Sequence, residues 1–397
     1  MQPSIQIPAD EFTARTQQLV THLRQEGLTG AVLFDNYYVL YYSGFAFIPT
    51  ERPIAFAVNA AGERALFVPR LELEHAQSQT VVERVESYLE YPDIPHPTAT
   101  LKQLLAEMSI TERIGVDYDG YPWIFGYQGP DLSELTSAKV VRLGKAIEAQ
   151  MAVKSRNELV LIRESCKWGN LAHRLLQKYT KVGATETEVS MRAGHEATLA
   201  LMDTLGPLYR GLSMFSEGAS AGYRGQIGRN AAIPHALAMN ATFMAGDVLV
   251  TGASCAMWGY HSELERTMII GTPSAEQRKF FGYAKEAQEV AFAQMRAGVK
   301  CSDVDKAVRA WFEEKGLKQY WKHHSGHAIG LRYHEGPFLD IGDDTVLEAG
   351  MVFTVEPGLY NPELGGFRHS DTVVVTADGL EFLTYYPRDL ESLTIAV

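Results

Sequence analysis

The chain has 397 residues, of which 46% are hydrophobic and 21% charged, with 48 acidic against 36 basic residues and a formal net charge of −12. This composition excludes a disordered tail, a collagen-like fibre and a small disulfide-stapled scaffold, and the length predicts two domains. The acidic excess leaves no global field to draw in nucleic acid or an anionic membrane.

The three cysteines, Cys166, Cys255 and Cys301, are far apart and show no paired-ligand spacing, which fits buried thiols in a reducing compartment. No basic stretch followed by an apolar one opens the sequence, and no window approaches the roughly 18 apolar residues of a membrane helix. A cytoplasmic protein is expected.

In chain order, Glu11 to Gly27 has helical spacing and stops on a glycine. Ala31 to Phe34, Ile54 to Val58 and Ala65 to Val68 are β-leaning runs, the last two joined by a hairpin-like Asn59-Ala-Ala-Gly62. Leu101 to Met108 predicts a helix and Ile114 to Val116 a further strand. Residues 1–150 therefore read as a small N-terminal α/β domain.

Residues 151–397 carry a weak internal duplication. Ser155-x-x-Glu158 and Ser274-x-x-Gln277 are capping boxes, in which side chains satisfy backbone N–H groups at a helix start. Gly183-Ala-Thr-Glu-Thr187-Glu-Val189 matches Gly298-Val-Lys-Cys-Ser302-Asp-Val304, and the strand-like Gly246–Gly252 matches Gly350–Glu356. Two halves of helices followed by strands would share one sheet around a central cleft.

Histidines and acids gather in this second part: His235; His261, Glu263 and Glu265; His323, His324, His327, His334 and Glu335; Glu356; Arg368, His369 and Asp371. A carboxylate such as Glu356 ending an apolar strand needs a cation, a metal or donors to be buried. Glu263 and Glu265 project from one face of a strand and need a compensating cation, or else form a solvated edge with Arg266. Glycines 326 and 330 around His327 suit a backbone lining a cleft.

Gly326-His327-Ala-Ile-Gly330-Leu-x-x-His334-Glu335-x-Pro337, Thr354-Val-Glu356-Pro357-Gly358 and Arg368-x-x-Asp371-Thr372 resemble the signature blocks of the creatinase/aminopeptidase family. Tyr41-Tyr42-Ser43-Gly44 resembles that family's strand-to-loop block in the first domain. The resemblance implies an α/β N-terminal domain and a pseudo-symmetric pita-bread domain with a curved, mostly antiparallel sheet. Its members include Xaa-Pro dipeptidases, Xaa-Pro aminopeptidases, creatinase and ectoine hydrolases.

The family's peptidases hold two divalent ions through two aspartates, a histidine and two glutamates. Those positions fall here on Gly252, Glu263, His327, Glu356 and Ser370, so two ligands are missing. The stretch Gly259-Tyr260-His-Ser-Glu-Leu264-Glu265-Arg266-Thr267 is similar to that of metal-free creatinase. The resemblance then implies that Glu265 and Glu356 bind an organic cation, that Glu263 or Glu265 could act as a nucleophile, and that His235 is the proton shuttle.

His327, His334 and Arg368 would line the pocket, and Arg52 is placed to bind a substrate carboxylate across a homodimer. The leading expectation is a hydrolase without a cofactor, acting on a C–N bond of a small amidinium or guanidinium zwitterion. An alternative is an Xaa-Pro dipeptidase or aminopeptidase with an incomplete or rearranged metal site: one ion such as Mn or Zn on Glu263, His327 and Glu356, with His261, His323 or His369 replacing lost ligands. A second alternative is a silent peptide-binding protein.

Overall fold

The computed structural model describes residues 5–91, 96–122, 127, 129–213 and 217–397. The chain divides into one compact unit over Gln6–Met151 and another that includes Ala152–Val397.

In the first unit a mixed six-stranded sheet has the order Arg84–Tyr88, Arg64–Pro69, Ala55–Asn59, Gly30–Leu33, Arg113–Val116, Lys139–Arg142. The hairpin at Asn59 forms because its Oδ1 accepts from the backbone N–H groups of Ala61, Gly62 and Glu63. The expected strand at Tyr41–Gly44 is instead the end of a helix, Asn36–Ser43. Asp35 caps its start by accepting from the Tyr37 and Tyr38 N–H groups, and Gly44 closes it in a left-handed turn at φ 73°.

In the second unit an antiparallel sheet runs Glu335–Leu339, Gly326–Ala328, Val352–Val355, Ser370–Val375, Leu264–Glu265, Gly252–Cys255, Ala219–Gly222, with Leu380–Phe382 also paired to Ser370–Val375. The duplication is visible in three dimensions. Both capping boxes form, at the helices Arg156–Tyr179 and Ala275–Gln294. Each is followed by a second helix, Glu186–Leu205 or Cys301–Glu314, whose preceding residue bridges to the loop before the matching strand: Thr185 to Thr242, Lys300 to Val346.

The halves meet where Leu264 pairs with Asp371 and Glu265 with Ser370. Arg266 locks this seam from behind. Fully buried, it donates to Asp371 Oδ1 at 2.7 Å and to the Ser370 carbonyl at 2.9 Å. One detail departs from the expected pairing of halves. Val248–Val250 belongs to a separate sheet with Thr267–Ile270 and Thr394–Ile395, and of the stretch Gly246–Gly252 only Gly252 belongs to the large sheet.

Candidate active site

The strand Gly326–Ala328 sits between Glu335–Leu339 and Val352–Val355, which fixes His327 opposite Phe338 and Thr354. Gly326 is required there, because a Cβ would lie 2.1 Å from the Thr354 carbonyl oxygen. Glu356 continues the neighbouring strand and donates its N–H to the Ser325 carbonyl at 2.8 Å. Glu263 enters from the other half, its N–H donated to Thr372 Oγ1 at 2.9 Å. As the alternation of a strand requires, Glu263 and Glu265 line one cavity. That cavity has a volume of about 370 Å³ and is also bordered by Arg224, Gly252, Tyr333 and His334.

The carboxylates are held in two ways. Glu265 is gripped by the buried Arg368, through Nε to Oε2 and through Nη2 to Oε1 at 2.8 Å, and Arg224 donates to the same Oε1 at 3.0 Å. Arg368 also donates to the Tyr360 hydroxyl at 3.0 Å. Arg266, the partner that a solvated strand edge would have used, pairs with Asp371 instead.

Glu263 and Glu356 have no such lock. Glu263 Oε1 accepts only from the Ser370 hydroxyl among the described residues, at 2.7 Å. Burial and the neighbouring Glu356 and Glu265 charges push its pKa up. Burial opposes ionisation of Glu356 as well, but His327 and Arg368 outweigh it and hold that carboxyl well below its ordinary value.

His327 is fully buried. Its Nδ1 lies 2.9 Å from the Ala328 carbonyl and so carries the proton of the neutral ring. Its Nε2 has one polar neighbour of note among the described residues, Glu356 Oε1 at 3.3 Å, with which it pairs when it is charged. A lone pair facing a carboxylate at that distance requires a positive charge between them. With a proton there, burial lowers the pKa of His327 but the Glu356 and Glu263 carboxylates prevail and raise it to about 9. The ring of His334 stacks on His327 with centroids 3.9 Å apart, and burial together with the His327 charge lowers its pKa to about 4.

Ligand atoms of Glu263, His327 and His334 come within 4.8 Å of one another, as do those of Glu263, Glu265 and Glu356. One divalent ion could be held here: Glu263, His327 and His334 form one such set, and Glu356 Oε1 stands 3.3 Å from His327 Nε2. The residues do not fit two. Gly252 offers no side chain, Ser370 is engaged with Glu263, and Glu265 is taken by guanidinium groups. His261, His323 and His369 are not the replacements: they pack against Tyr333, Tyr360 and Phe281 respectively. His334 is the histidine that joins the cluster.

The structure thus gathers Glu263, Glu265, Glu356, His327, His334 and Arg368. His235 is exposed on the loop after Gly228–Ala232, and its charge contributes to lowering the pKa of His334. Arg52 lies in the other unit, paired with Glu51 and Glu90. Arg224 and Tyr360 were not singled out from sequence. Neither belongs to a motif, and each joins the site through a contact with the Glu265–Arg368 pair.

Residues 160–377 match the metallopeptidase family M24, and residues 15–150 match the creatinase/prolidase N-terminal domain. The chain belongs to metallopeptidase family M24. It is 28% identical over 378 residues to a putative dipeptidase, YkvY, of Bacillus subtilis, covering 95% of this chain and 99% of the relative. It is 26% identical over 383 residues to an Xaa-Pro dipeptidase of Pyrococcus horikoshii, covering 96% and 99%. Among solved structures, the dipeptidase PepE of Mycobacterium ulcerans superposes with a TM-score of 0.82 at 24% identity, over 99% of this chain and 100% of that one, which supports the fold.

Two expectations are thereby corrected. The metal-independent amidinium hydrolase of the creatinase and ectoine hydrolase branch gives way to membership of a peptidase family, whose relatives along nearly the whole chain include Xaa-Pro dipeptidases. The expected lack of a cofactor gives way as well, because the family is one of metallopeptidases and a carboxylate–histidine ligand cluster is in place. Two lost ligands favoured the reading with no ion over the alternative with one, whereas the remaining residues include a group that could hold one.

Proposed function

We propose that the protein is a metal-dependent hydrolase of small Xaa-Pro peptides, holding one divalent ion on Glu263, His327 and Glu356 with His334 beside them. The observation that carries this reading is the cluster of Glu263, His327 and His334 ligand atoms within 4.8 Å of one another, with Glu356 Oε1 3.3 Å from the buried His327 Nε2. The chemistry supplied by the bound ion would be Lewis-acid polarisation of the scissile carbonyl.

The chain's own residues do the rest. The Ser370 hydroxyl orients Glu263, and the Nδ1–H of His327 fixes its ring against the Ala328 carbonyl. Arg368 and Tyr360 keep Glu265 from competing for the same position. His334 stays neutral near pH 7 and offers substrate a single ring donor or acceptor. His235, exposed beyond it, takes a proton from the attacking water and returns it to the leaving nitrogen.

The test is cleavage of a Gly-Pro dipeptide before and after complete metal removal, with metal content measured on the same sample. Activity should vanish with the ion, return on adding Mn or Zn, and be lost in His327→Ala. Full activity in protein shown to be metal-free would refute the reading.

A further inference from the structure

We propose that Arg224 is a specificity-determining residue that receives the free carboxylate of a short peptide; this rests on the peptidase reading and names the substrate class within it. Three features converge on this side chain. Arg224 follows the strand Ala219–Gly222 in a left-handed conformation at φ 49°, which non-glycine residues adopt at a cost and which concentrates at functional positions. The turn is pinned by the next residue, Gly225, whose N–H donates to Glu186 Oε2 at 2.8 Å.

The side chain borders the cavity with 53% of its surface exposed. Only one of its nitrogens is engaged among the described residues: Nη2 donates to Glu265 Oε1 at 3.0 Å and to Gln226 Oε1 at 3.4 Å. Nε and Nη1 remain open, and an open guanidinium edge suits a two-point grip on a carboxylate.

The sharing of Glu265 points the same way. Buried Arg368 already takes both its oxygens, so the single contact of Arg224 is a side contact rather than its main grip. Arg224 thus reaches the cavity wall with donors to spare, and a carboxylate arriving there takes them up. A cavity of about 370 Å³ lies in the range of small-ligand pockets. A dipeptide of that size brings its carboxylate within the cavity, whereas a longer peptide places an uncharged amide there.

The experiment measures calorimetric binding of L-proline and of L-prolinamide to the intact protein, its Arg224→Met variant and its Arg224→Lys variant. It needs no turnover. Wild type should bind the acid more tightly than the amide by on the order of tenfold or more, Arg224→Met should abolish that preference, and Arg224→Lys should keep part of it. Unchanged thermal unfolding in the variants establishes that they fold.

Equal affinity for acid and amide in the wild type, binding of neither, or a preference that survives Arg224→Met overturns the proposal. With Gly-Pro as substrate, Arg224→Met should raise KM by on the order of tenfold while kcat stays within about twofold. If wild type binds proline through Arg224 but cleaves no Gly-Pro, the peptidase reading fails while the carboxylate site stands.

Discussion

Glu265→Gln is the most informative single change, because it removes one charge from a buried group of three. Arg368 and Glu265 are 3% and 4% exposed at their side chains, and Arg224 is half-exposed. Removing one partner of a buried pair costs about 3 to 5 kcal/mol, since the other charge stays desolvated. The Arg224 contact adds at most about 1 kcal/mol at its exposure. Glutamine keeps an acceptor oxygen, which places the expected loss at the lower end, about 3 kcal/mol.

A second consequence concerns the ion. Arg368 Nε already lies 3.6 Å from Glu356 Oε2, so a released guanidinium would turn to Glu356 and compete for the carboxylate assigned to the metal. Urea unfolding followed by tryptophan fluorescence reads the stability of this unit, where Trp168, Trp258, Trp311 and Trp321 reside. Metal titration reads the second effect. Arg368→Met alone should be similarly destabilising, and the double variant should recover much of the loss. A Glu265→Gln protein within about 1 kcal/mol of wild type, with unaltered metal affinity, would refute the argument.

Other outcomes follow from the same geometry. Wild type should carry about one divalent ion per chain, and Gly252→Asp with Ser370→Glu should raise the ratio toward about two by elemental analysis; two ions in wild type would contradict the ligand assignment. Gly326→Ala should destabilise by at least roughly 1 to 3 kcal/mol and weaken metal binding, because its Cβ meets the Thr354 carbonyl beside His327. His173 is fully buried, its Nε2 lies 2.7 Å from Thr251 Oγ1, and burial followed by the Arg266 charge lowers its pKa to about 3. The unfolded chain then binds more protons than the folded one between about pH 6.5 and 3, so stability falls as pH falls through that window, by up to about 5 kcal/mol. His173→Gln should flatten this acid limb in pH-dependent urea unfolding; an unchanged slope would assign it to other groups.

What could be read without coordinates was local or repeated. The capping boxes at Ser155 and Ser274 form as written, since a serine and an acid or amide three residues apart need nothing from the rest of the fold. His327, Glu356 and Glu263 were legible as candidates because they fall on the signature positions that the family resemblance picks out. Tyr41–Gly44 misled: the resemblance to a strand-to-loop block implied a strand, but the cap at Asp35 and the left-handed Gly44 set a helix there instead. Arg224 and Tyr360 were illegible because their roles arise from contacts with Glu265 and Arg368 across folded distance. The step from Gly252 and Ser370 to a metal-free enzyme failed for a related reason. Ligand number says how many ions a site can hold, and only the placement of His327, His334 and the acids shows that one remains possible.

The seam where Glu265 pairs with Ser370 joins segments more than a hundred residues apart, as the 107-residue separation between Glu263 and Ser370 records. During synthesis, Glu263 and Glu265 leave the ribosome long before their partners exist. The early half must wait with the open edge of Leu264–Glu265 unpaired and two acids turned toward an absent neighbour. Function therefore arrives all at once, only after Arg368 and Ser370 have emerged, and a chain cut short before Arg368 inherits none of it.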